Sequence, residues 1–336
     1  MKLLVTGGAG FIGSAFVRLA LTNQWVTGLV NFDKLTYAGN LENLISIEKE
    51  PGYKFVQGDI CDTALVRAVL EEERPDAIVH FAAESHVDRS ILGPAAFVET
   101  NVRGTFSMLE AARAAKTARF LHVSTDEVYG SIDEPADADE TYLLKPSSPY
   151  SASKASSDLL ALSYVTTFKL PVVVTRASNN YGPYQFPEKL IPLMISNAMD
   201  DKPLPIYGDG MQIRDWLFVD DHCRAIWAAL NKGEVGEIYN IGGSRALPNR
   251  EVVELILAQL GKPSSLMTRV TDRPGHDRRY AITTEKIEKA TGWQAEVPFE
   301  RGLAQTIEWY GQNREWTARV KSGEYQDYYQ NNYGRR

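Results

Sequence analysis

Three neighbouring side chains in this sequence have the chemistry needed for acid–base catalysis. An apolar run at residues 120–123 is followed by the stretch STDEVYG at residues 124–130. Thr125, Asp126 and Glu127 lie within that stretch. The apolar run predicts a buried strand, and open α/β sheets bind their ligands beyond the carboxyl ends of the strands. A hydroxyl group beside two carboxyl groups at such a place predicts proton transfer in more than one step.

Tyr150 and Lys154 form a second candidate pair. They are four residues apart in a segment, residues 148–168, whose pattern predicts a helix. Residues at this spacing lie on one face of a helix, so the phenol and the ammonium group can interact. Because a nearby positive charge favours the phenolate, we expect Lys154, together with the nicotinamide cation, to lower the pKa of Tyr150 from about 10 toward neutrality. The alternative for an isolated pair of this kind is a solvated helix face.

A glycine-rich turn stands at the start of the chain. Gly7, Gly10 and Gly13 are spaced as G-x-x-G-x-x-G, after a predicted strand and at the opening of a predicted helix. Glycines permit a tight turn and let backbone N–H groups approach a pyrophosphate at the positive end of the helix dipole. The turn therefore predicts a dinucleotide site.

An acidic residue at the end of the second predicted strand supports this interpretation. Asp33 lies twenty residues beyond Gly13, where a carboxylate accepts hydrogen bonds from the hydroxyls of an adenosine ribose. It also repels a 2′-phosphate, which favours NAD over NADP, although the neighbouring Lys34 keeps NADP open. Asp59 and Ile60 follow the third predicted strand, where we expect the adenine to lie.

Strand and helix patterns alternate through the first half of the chain. Strands are predicted at residues 2–5, 26–32, 54–56, 77–82, 120–123 and 172–175, and helices at residues 11–21, 63–73, 94–115, 148–168, 249–260 and 299–310. The alternation is typical of an α/β fold with a doubly wound parallel sheet of the Rossmann type.

Beyond residue 178 the alternation gives way to loops rich in Pro, Gly, Tyr and Asn, while aromatic residues stay dense. We therefore predict a second, smaller α+β lobe that binds the substrate. The predicted NAD-binding domain comprises residues 1–178 and about 214–243, where the chain returns to the first lobe. The predicted substrate domain comprises about residues 179–213 and residues 244–336, and its tyrosine-rich end is assigned no chemistry.

Composition excludes several classes of protein. The chain has 336 residues, of which 44% are apolar and 24% are charged. No apolar run approaches the length of a membrane span, and the N-terminus has no signal peptide pattern, so we expect a cytoplasmic protein. A net charge of -7 disfavours nucleic acid as a partner. Cys61 and Cys223 cannot form a disulfide framework, and we expect Cys223 to be a packed thiol rather than a metal ligand with His222.

The two carboxyl groups exceed what alcohol oxidation requires. Tyr150 and Lys154 beside NAD would suffice to oxidise a secondary alcohol of a sugar. The resulting ketone acidifies the neighbouring C–H, and a hydroxyl one carbon further can then leave. That elimination needs one carboxylate and one carboxylic acid, and crowding separates the pKa values of Asp126 and Glu127 in the required way. The alternative is that Asp126 caps the following turn and Glu127 is solvated.

Five segments of the sequence resemble one known family. They are DKLTYAGN at residues 33–40, AAESHVD at 82–88, STDEVYG at 124–130, PYSASK at 149–154 and NNYGPYQ at 179–185. Through them the chain is similar to the dTDP-glucose 4,6-dehydratases, which are extended short-chain dehydrogenase/reductases, from residue 1 to about residue 309. The Asp126–Glu127 pair separates these dehydratases from the 4-epimerases that share the fold.

The resemblance implies a redox cycle in which dTDP-glucose becomes dTDP-4-keto-6-deoxyglucose. Tyr150, assisted by Lys154 and hydrogen-bonded through Thr125, would take the C4 hydroxyl proton while the C4 hydride passes to NAD. Glu127 would remove the C5 proton, and Asp126 would protonate the departing C6 hydroxyl. The hydride then returns to C6, so NAD is regenerated and stays bound.

The resemblance also implies a homodimer, paired through the helices predicted at residues 94–115 and 148–168, and a set of contacts for each ligand. The NAD contacts are Gly7, Gly10, Phe11, Ile12, Gly13, Asp33, Lys34, Leu35, Thr36, Asp59, Ile60, Phe81, Ala82, Ala83, Ser85, Thr100, Ser124, Tyr150, Lys154 and Asn180. The nucleotide-sugar contacts are Ser85, Thr125, Asn179, Lys189, Leu190, Pro205, Ile206, Tyr207, Arg214, Asn249, Arg273, His276 and Tyr280.

The residue types give some of these contacts a chemical reason. Arg214 and Arg273 suit the diphosphate, because a guanidinium binds phosphate oxygens at two places. Tyr207 can flank the base ring, or it can be an ordinary aromatic core residue. His276 lies in a loop and could equally be structural.

Three alternatives stay open: a nucleotide-sugar 4-epimerase, a 4,6-dehydratase that acts on another nucleotide hexose, and a scaffold that binds NAD without catalysis. A C6 methyl group in the product distinguishes a dehydratase from an epimerase. The joint presence of Thr125, Asp126, Glu127, Tyr150 and Lys154 argues against the scaffold.

Overall fold

The computed structural model describes residues 1–243 and 245–321. Ser244 and residues 322–336 lie outside the described residues, and they include the tyrosine-rich end of the predicted substrate domain. The strands are β1 (Lys2–Thr6), β2 (Gly28–Asp33), β3 (Tyr53–Gln57), β4 (Ala77–His80), β5 (Arg119–Thr125), β6 (Val172–Ala177), β7 (Asn179–Tyr181), β8 (Leu204–Tyr207), β9 (Ile213–Phe218), β10 (Ile238–Ile241), β11 (Arg245–Pro248) and β12 (Met267–Val270).

Helices connect most of these strands. They are α1 (Phe11–Thr22), α2 (Thr63–Glu73), α3 (Val87–Leu92), α4 (Pro94–Phe97), α5 (Thr105–Ala115), α6 (Pro149–Phe168), α7 (Leu190–Met199), α8 (Val219–Lys232), α9 (Asn249–Leu260), α10 (Glu285–Thr291), α11 (Phe299–Gln312) and α12 (Arg314–Val320). Short 3-10 turns occur at Leu41–Ile47, Asp126–Tyr129 and Ser264–Leu266, and a π-helical turn at Val98–Gly104. Among the described residues, no helix is both long and apolar enough to span a membrane.

The described residues form a seven-stranded sheet with the order β10-β6-β5-β4-β1-β2-β3. All neighbouring pairs in it are parallel. Successive residues of β1 serve opposite faces: Leu3 packs in the apolar cluster with α1 and α8, and Leu4 packs in the cluster with α2, α5 and α6. Helices therefore cover both faces, and the predicted doubly wound α/β fold is confirmed.

The strand order reverses between β1 and β4, where two strands that are not consecutive in the chain lie side by side. The connections that leave these two strands diverge to opposite sides, which opens a crevice at their carboxyl ends. The glycine turn follows β1, and residues 81–85 follow β4. The fold thus places the predicted cofactor-binding segments after β1 and β4 at one edge of the sheet.

A second apolar cluster lies outside the main sheet. It contains buried residues of α7, α9 and α11, among them Ile195, Val252 and Leu303. Two small sheets, β11-β9-β7 and β12-β8, accompany it. The chain returns to the main sheet at β10, which pairs with β6, whereas β9 pairs with β7 and β11. The predicted boundaries of the two domains stay a prediction.

The helix predicted at residues 94–115 is interrupted by the π-helical turn Val98–Gly104. Asn101 in that turn is buried and holds the loop after β4, because it accepts a hydrogen bond from the Glu84 N–H at 2.8 Å and donates one to the Glu84 carbonyl at 2.9 Å. It also donates to Ser153 Oγ on α6 at 2.8 Å. The turn fixes the loop after β4 to the helix that carries Tyr150, and π turns are frequent at functional sites.

Candidate active site

A cleft opens at the carboxyl edge of the main sheet. It is lined by the glycine turn, by the residues that follow β2 to β6, and by residues 185–191 from the second region of the chain. The glycine turn and the Asp126–Glu127 pair both line it. One cleft therefore contains the predicted dinucleotide turn and the candidate acid–base residues.

The glycine turn is shaped in a way that side chains would prevent. Gly7 has a φ of +73°, and a Cβ there would lie 2.7 Å from the Ala82 backbone nitrogen. A Cβ at Gly13 would lie 2.2 Å from the Gly7 carbonyl oxygen. Gly10 is the N-cap residue that precedes α1, and among the described residues no side chain caps this helix end. The first N–H groups of α1 thus remain available to an anion, and the turn fits a pyrophosphate.

We predict that Gly13→Ala destabilises the turn, because the new methyl group must displace backbone atoms. Overpacking of this kind costs about 1–3 kcal/mol, and NAD binding should weaken by about tenfold or more. The matched control is Gly28→Ala in β2, whose Cβ would meet the Lys2 side chain at an ordinary 3.4 Å. Thermal unfolding and titration with NAD measure both effects. Equal behaviour of the two variants would contradict this description of the turn.

Asp33 at the end of β2 is held in place by the backbone. Its carboxylate accepts hydrogen bonds from the Ala9 N–H at 2.9 Å and the Leu35 N–H at 2.8 Å. Burial raises its pKa, and these two hydrogen bonds oppose the rise. Lys34 Nζ pairs with Asp59 Oδ2 at 2.7 Å. The cation that kept NADP open is thus engaged by a carboxylate, which strengthens the preference for NAD.

Most of the predicted NAD contacts line this one cleft. They are Gly7, Gly10, Phe11, Ile12, Gly13, Asp33, Lys34, Thr36, Asp59, Ile60, Phe81, Ala82, Ala83, Ser85, Thr100, Ser124, Tyr150, Lys154 and Asn180. Leu35 does not line the cleft. It has a φ of +56° and contributes the N–H that Asp33 accepts.

Thr125 caps the turn that presents the two acids. It ends β5, and its Oγ1 accepts a hydrogen bond from the Glu127 N–H at 3.2 Å. The same hydroxyl donates to Asp126 Oδ1 at 3.3 Å. The alternative in which Asp126 caps the turn is therefore wrong, because Thr125 is the capping residue.

Asp126 lies in surroundings that favour its protonated form. Its side chain is buried, and Oδ2 has no hydrogen-bond partner within the part of the chain that the structure describes. Burial raises its pKa well above the usual range, and the charges of Glu127 and Asp215 raise it further. Arg214 opposes the rise only in part. A carboxyl group in this situation is suited to donate a proton.

Glu127 lies near more positive charge than Asp126 does. Burial raises its pKa above the usual range, and the positive charges of Arg273, Lys189 and Arg214 oppose this rise. It is only half-buried, and it lines the same cleft as Asp126. Three cations around Glu127 favour the carboxylate, which is suited to accept a proton. The predicted separation of the two acids thus has a physical cause in their different neighbours.

Tyr150 and Lys154 lie on α6 and both line the cleft. Lys154 Nζ donates to the Val123 carbonyl at 2.8 Å, and burial lowers the pKa of Lys154 to about 8. In the protein without NAD, the pKa of Tyr150 is raised and not lowered. Burial raises it far above the usual value, the charge of Glu127 adds to the rise, and a hydrogen bond with Thr125 opposes it.

The start of α6 places Tyr150 in the first helical turn. Pro149 occupies the position that tolerates proline, and Ser148 and Ser151 cap each other. The Ser151 N–H donates to Ser148 Oγ at 3.1 Å, and the Ser148 N–H donates to Ser151 Oγ at 3.0 Å. Both hydroxyls are buried, so Tyr150 is presented from a rigid helix end.

The predicted nucleotide-sugar contacts fall into two groups. Ser85, Thr125, Asn179, Lys189 and Leu190 line the cleft. Pro205, Ile206, Tyr207, Arg214, Asn249, Arg273, His276 and Tyr280 do not line it. The charges of Arg214 and Arg273 nevertheless act on Glu127, which lines the cleft.

The second group forms its own contact network. Arg273 Nη1 donates to Asp88 Oδ1 at 2.8 Å, and the Tyr207 hydroxyl donates to Asp88 Oδ2 at 2.7 Å. The His276 ring meets the Tyr207 ring edge-on at 5.9 Å. The Arg214 guanidinium lies 4.0 Å above the Tyr280 ring. The predicted contacts Tyr207 and Arg273 thus converge on one buried carboxylate.

Pro205 and Ile206 belong to β8 with Tyr207, and Asn249 is the first residue of α9. The Asn249 side-chain oxygen is buried and, among the described residues, has no hydrogen-bond partner. A buried amide oxygen without a partner is costly, and a ligand group can satisfy it.

A protein-family model described as GDP-mannose 4,6 dehydratase matches residues 4–306 of the chain. A dTDP-glucose 4,6-dehydratase of Salmonella typhimurium is 52% identical over 99% of each chain. The enzyme of the same name from Neisseria meningitidis is 54% identical over 96% of this chain and 97% of its own. The chain belongs to the dTDP-glucose 4,6-dehydratase family.

Solved structures agree with this family. A dTDP-glucose 4,6-dehydratase from Streptomyces venezuelae, with NAD and dTDP bound, superimposes with a TM-score of 0.94 at 51% identity and covers 96% of this chain and 100% of its own. A UDP-glucose 4-epimerase from Thermus thermophilus, in complex with NAD, gives a TM-score of 0.87 at 31% identity, over 93% and 100%. The fold is shared with epimerases, and the identity is higher with the dehydratases.

Beside the residues expected of a family member, the structure shows buried charges without an assigned role. Asp158 is fully buried, accepts from Arg176 Nε at 2.9 Å and raises the pKa of Lys154. Its spacing of four residues from Lys154, which itself follows Tyr150 by four, is a signal in the sequence.

Cys223 is a buried free thiol, as predicted, and the His222 Nδ1 beside it contacts Asn180 Oδ1 at 2.9 Å.

Proposed function

We propose that this protein is an NAD-dependent hydro-lyase that converts dTDP-glucose to dTDP-4-keto-6-deoxyglucose. The observation that carries the proposal is the pair Asp126 and Glu127, adjacent in sequence, lining one cleft and placed among different charges. Relatives at about half identity over nearly the full length bear the name of this activity.

NAD would be held by the glycine turn, by Asp33 at its adenosine ribose, and by Asn180 and Lys154 at its nicotinamide end. When bound, it supplies an acceptor for the C4 hydrogen of the sugar and a donor for C6. The glycine turn, which a Cβ at Gly7 or Gly13 would fill, supports this placement. The Streptomyces venezuelae relative, which contains NAD, supports NAD as the cofactor.

Tyr150 would remove the proton of the C4 hydroxyl. Its phenol forms a hydrogen bond with Thr125. The Thr125 hydroxyl would also form a hydrogen bond with the sugar. Deprotonation of Tyr150 requires positive charge close by, since burial and Glu127 both oppose it. Lys154 provides one such charge.

Glu127 would remove the C5 proton, which the C4 ketone has made acidic. The three cations around Glu127 oppose the rise of its pKa that burial causes, and so favour the carboxylate that this step requires. Asp126, held protonated by burial and by its acidic neighbours, would give its proton to the departing C6 hydroxyl. Glu127 then returns a proton to C5. This division uses each acid in the state that its surroundings favour.

The pH dependence of the reaction should report on Lys154. Its pKa in the folded protein is about 8, lower than that of a free lysine because of burial, so it loses its charge as the pH rises through that value. We therefore expect kcat/KM to fall above about pH 8. Lys154→Arg keeps a charge at higher pH. The decline of kcat/KM in this variant should therefore begin at a higher pH. A profile whose alkaline limb is the same in both proteins would contradict this role.

The nucleotide sugar would extend from the cleft toward Arg214 and Arg273, which suit its diphosphate. Ser85, Thr125, Asn179, Lys189 and Leu190 would contact the sugar side of the ligand. Pro205, Ile206, Tyr207, Asn249, His276 and Tyr280 would surround the nucleoside and the diphosphate. The dTDP bound to the Streptomyces venezuelae relative supports a dTDP-linked ligand.

We also propose that the chain has two domains and acts as a cytoplasmic homodimer. Residues 1–178 and about 214–243 would bind NAD, and about residues 179–213 with 244–336 would bind the nucleotide sugar. The separate apolar cluster of the second region supports this division. For the dimer, exposed apolar side chains on the π turn, α5 and α6 offer a contact surface: Val98, Phe106, Leu159 and Phe168.

One assay tests the proposed function and its alternatives. The protein is incubated with NAD and, separately, with the glucose derivatives of dTDP, UDP and GDP, and the products are examined by NMR. We expect a C6 methyl group and a C4 ketone, formed most rapidly from the dTDP sugar. Methyl formation only from another nucleotide would overturn the substrate, an inverted C4 with an intact CH2OH would indicate an epimerase, and no product at all would indicate a scaffold.

A further inference from the structure

Glu188 lies in the loop between β7 and α7, and its neighbours border the cleft. Gln185, Phe186 and Lys189 of this loop line the cleft together with Glu188. The Glu188 side chain is only 2% exposed. A buried carboxylate is stable only with charged or hydrogen-bonded partners, so its partners show what the loop is attached to.

Both carboxylate oxygens of Glu188 bind distant parts of the chain. Oε1 accepts a hydrogen bond from the Tyr37 hydroxyl at 3.0 Å, and Oε2 accepts one from Arg89 Nε at 2.9 Å. The Arg89 guanidinium also lies 3.8 Å above the Tyr37 ring. Each of the three side chains thus contacts the other two, and we call this arrangement the Tyr37–Arg89–Glu188 clasp.

Tyr37 belongs to the segment that follows Asp33. Thr36 and Ala38 on either side of it line the same cleft as the Glu188 loop. The Tyr37 ring also meets the Phe186 ring edge-on at 5.6 Å. The clasp therefore connects the segment beside the predicted ribose site to the loop on the other wall of the cleft.

Two further contacts attach the loop near Arg89. His86 Nε2 lies 3.3 Å from the Glu188 carbonyl oxygen, which can only accept, and Lys189 Nζ donates to the Ser85 carbonyl at 2.7 Å. The loop is thus joined to residues 85–89 by both side chain and backbone. The clasp and the Tyr37–Phe186 ring contact also join it to the segment at Tyr37.

We infer that Glu188 is a positioning residue that fastens the loop across the dinucleotide cleft to Tyr37 and Arg89, and so slows the release of NAD. The inference rests on the proposed function, because it requires that NAD occupies this cleft. To widen the cleft, the loop must leave Tyr37 and expose a buried charged pair, which opposes opening. Retention matters in this reaction, since a cofactor lost after C4 oxidation would leave the sugar unreduced.

The test compares the rate of NAD release in three variants of the full chain. Each protein is loaded with NAD and mixed with an excess of a fluorescent NAD analogue, and exchange is followed with time. Glu188→Gln keeps the size of the side chain and removes its charge. Tyr37→Phe removes one hydrogen bond and keeps the ring. Tyr164→Phe is the matched control, because the Tyr164 hydroxyl donates to Glu110 Oε1 at 2.7 Å away from the cleft.

We expect Glu188→Gln to release NAD about tenfold faster, as the loss of a charge-assisted hydrogen bond implies, and Tyr37→Phe roughly threefold faster. Tyr164→Phe should match the unmodified protein, and the double variant of Glu188 and Tyr37 should release NAD no faster than Glu188→Gln alone. A purely structural ion pair would lower the melting temperature and leave the release rate unchanged, which would overturn the inference. Should Glu188→Gln fail to fold, an unchanged rate in Tyr37→Phe would overturn it equally. Failure of the unmodified protein to bind NAD would instead count against the proposed function.

Discussion

Glu127→Gln should lower kcat with dTDP-glucose by about 10³-fold, within the range that a positioned proton acceptor contributes. The amide cannot take the C5 proton, so elimination stops after C4 oxidation. We therefore expect the absorbance of reduced nicotinamide to accumulate in the variant. In D2O, the recovered dTDP-glucose should carry no solvent deuterium at C5.

Asp126→Asn is the matched comparison for this variant, because it removes the neighbouring acid by the same chemical change. Glu127 is intact there, so it should still exchange the C5 proton while the C6 hydroxyl cannot leave. The recovered sugar should then contain deuterium at C5. If both variants exchange C5 equally, or if Glu127→Gln binds both ligands and accumulates no reduced cofactor, Glu127 is not the C5 base.

Tyr150→Phe should reduce kcat by about 10³- to 10⁴-fold through loss of the first proton transfer. Unlike Glu127→Gln, it should accumulate no reduced nicotinamide, because C4 is never oxidised. NAD should remain bound, since the change removes a single hydroxyl group. Rapid mixing of the NAD-loaded variant with dTDP-glucose measures both the absorbance and the turnover.

The control for Tyr150→Phe lies on the same helix. Tyr164→Phe also removes one phenolic hydroxyl from α6, but Tyr164 does not border the cleft. We expect its kcat to stay within about twofold of the unmodified protein, as for substitutions that leave the site intact. A Tyr150→Phe variant that retains kcat within about tenfold would show that another group accepts the C4 hydroxyl proton.

The fold could be predicted because its pattern is local. Strand β4 is buried at all four positions and lies in the nearly continuous apolar run at residues 77–82. Helix α2 begins and ends at the residues that the pattern predicted. The glycine spacing could be interpreted in the same way, since the close approach of Gly13 to Gly7 occurs within one turn. Local periodicity and local sterics are properties that a single sequence carries.

The electrostatics of the site could not be predicted in this way. Thr125, Asp126 and Glu127 are neighbours in the chain, yet the groups that distinguish the two acids, Asp215 and Arg273, come from far along the sequence. Only the folded chain reveals their positions. Adjacent acids therefore predict a difference in pKa from sequence, but not which acid is protonated.

The rise of the Tyr150 pKa in the protein without NAD could not be predicted for the same reason. The spacing of Tyr150 and Lys154 correctly places them on one helix face, but it carries no information about burial or about Glu127. Lys154 directs its ammonium group to the Val123 carbonyl. The π-helical turn at Val98–Gly104 was likewise missed, because the hydrogen bonds of Asn101 to Glu84 are long-range contacts that no local pattern predicts.

The most direct test of the account follows two hydrogens through one turnover. The protein is incubated in D2O with dTDP-glucose labelled with tritium at C4, and the product is analysed by NMR and by the distribution of radioactivity. The account predicts that the C4 label appears in the C6 methyl group while one solvent deuterium enters C5. Solvent deuterium in the C6 methyl group in place of the C4 label, or a product that keeps its CH2OH group, would contradict it.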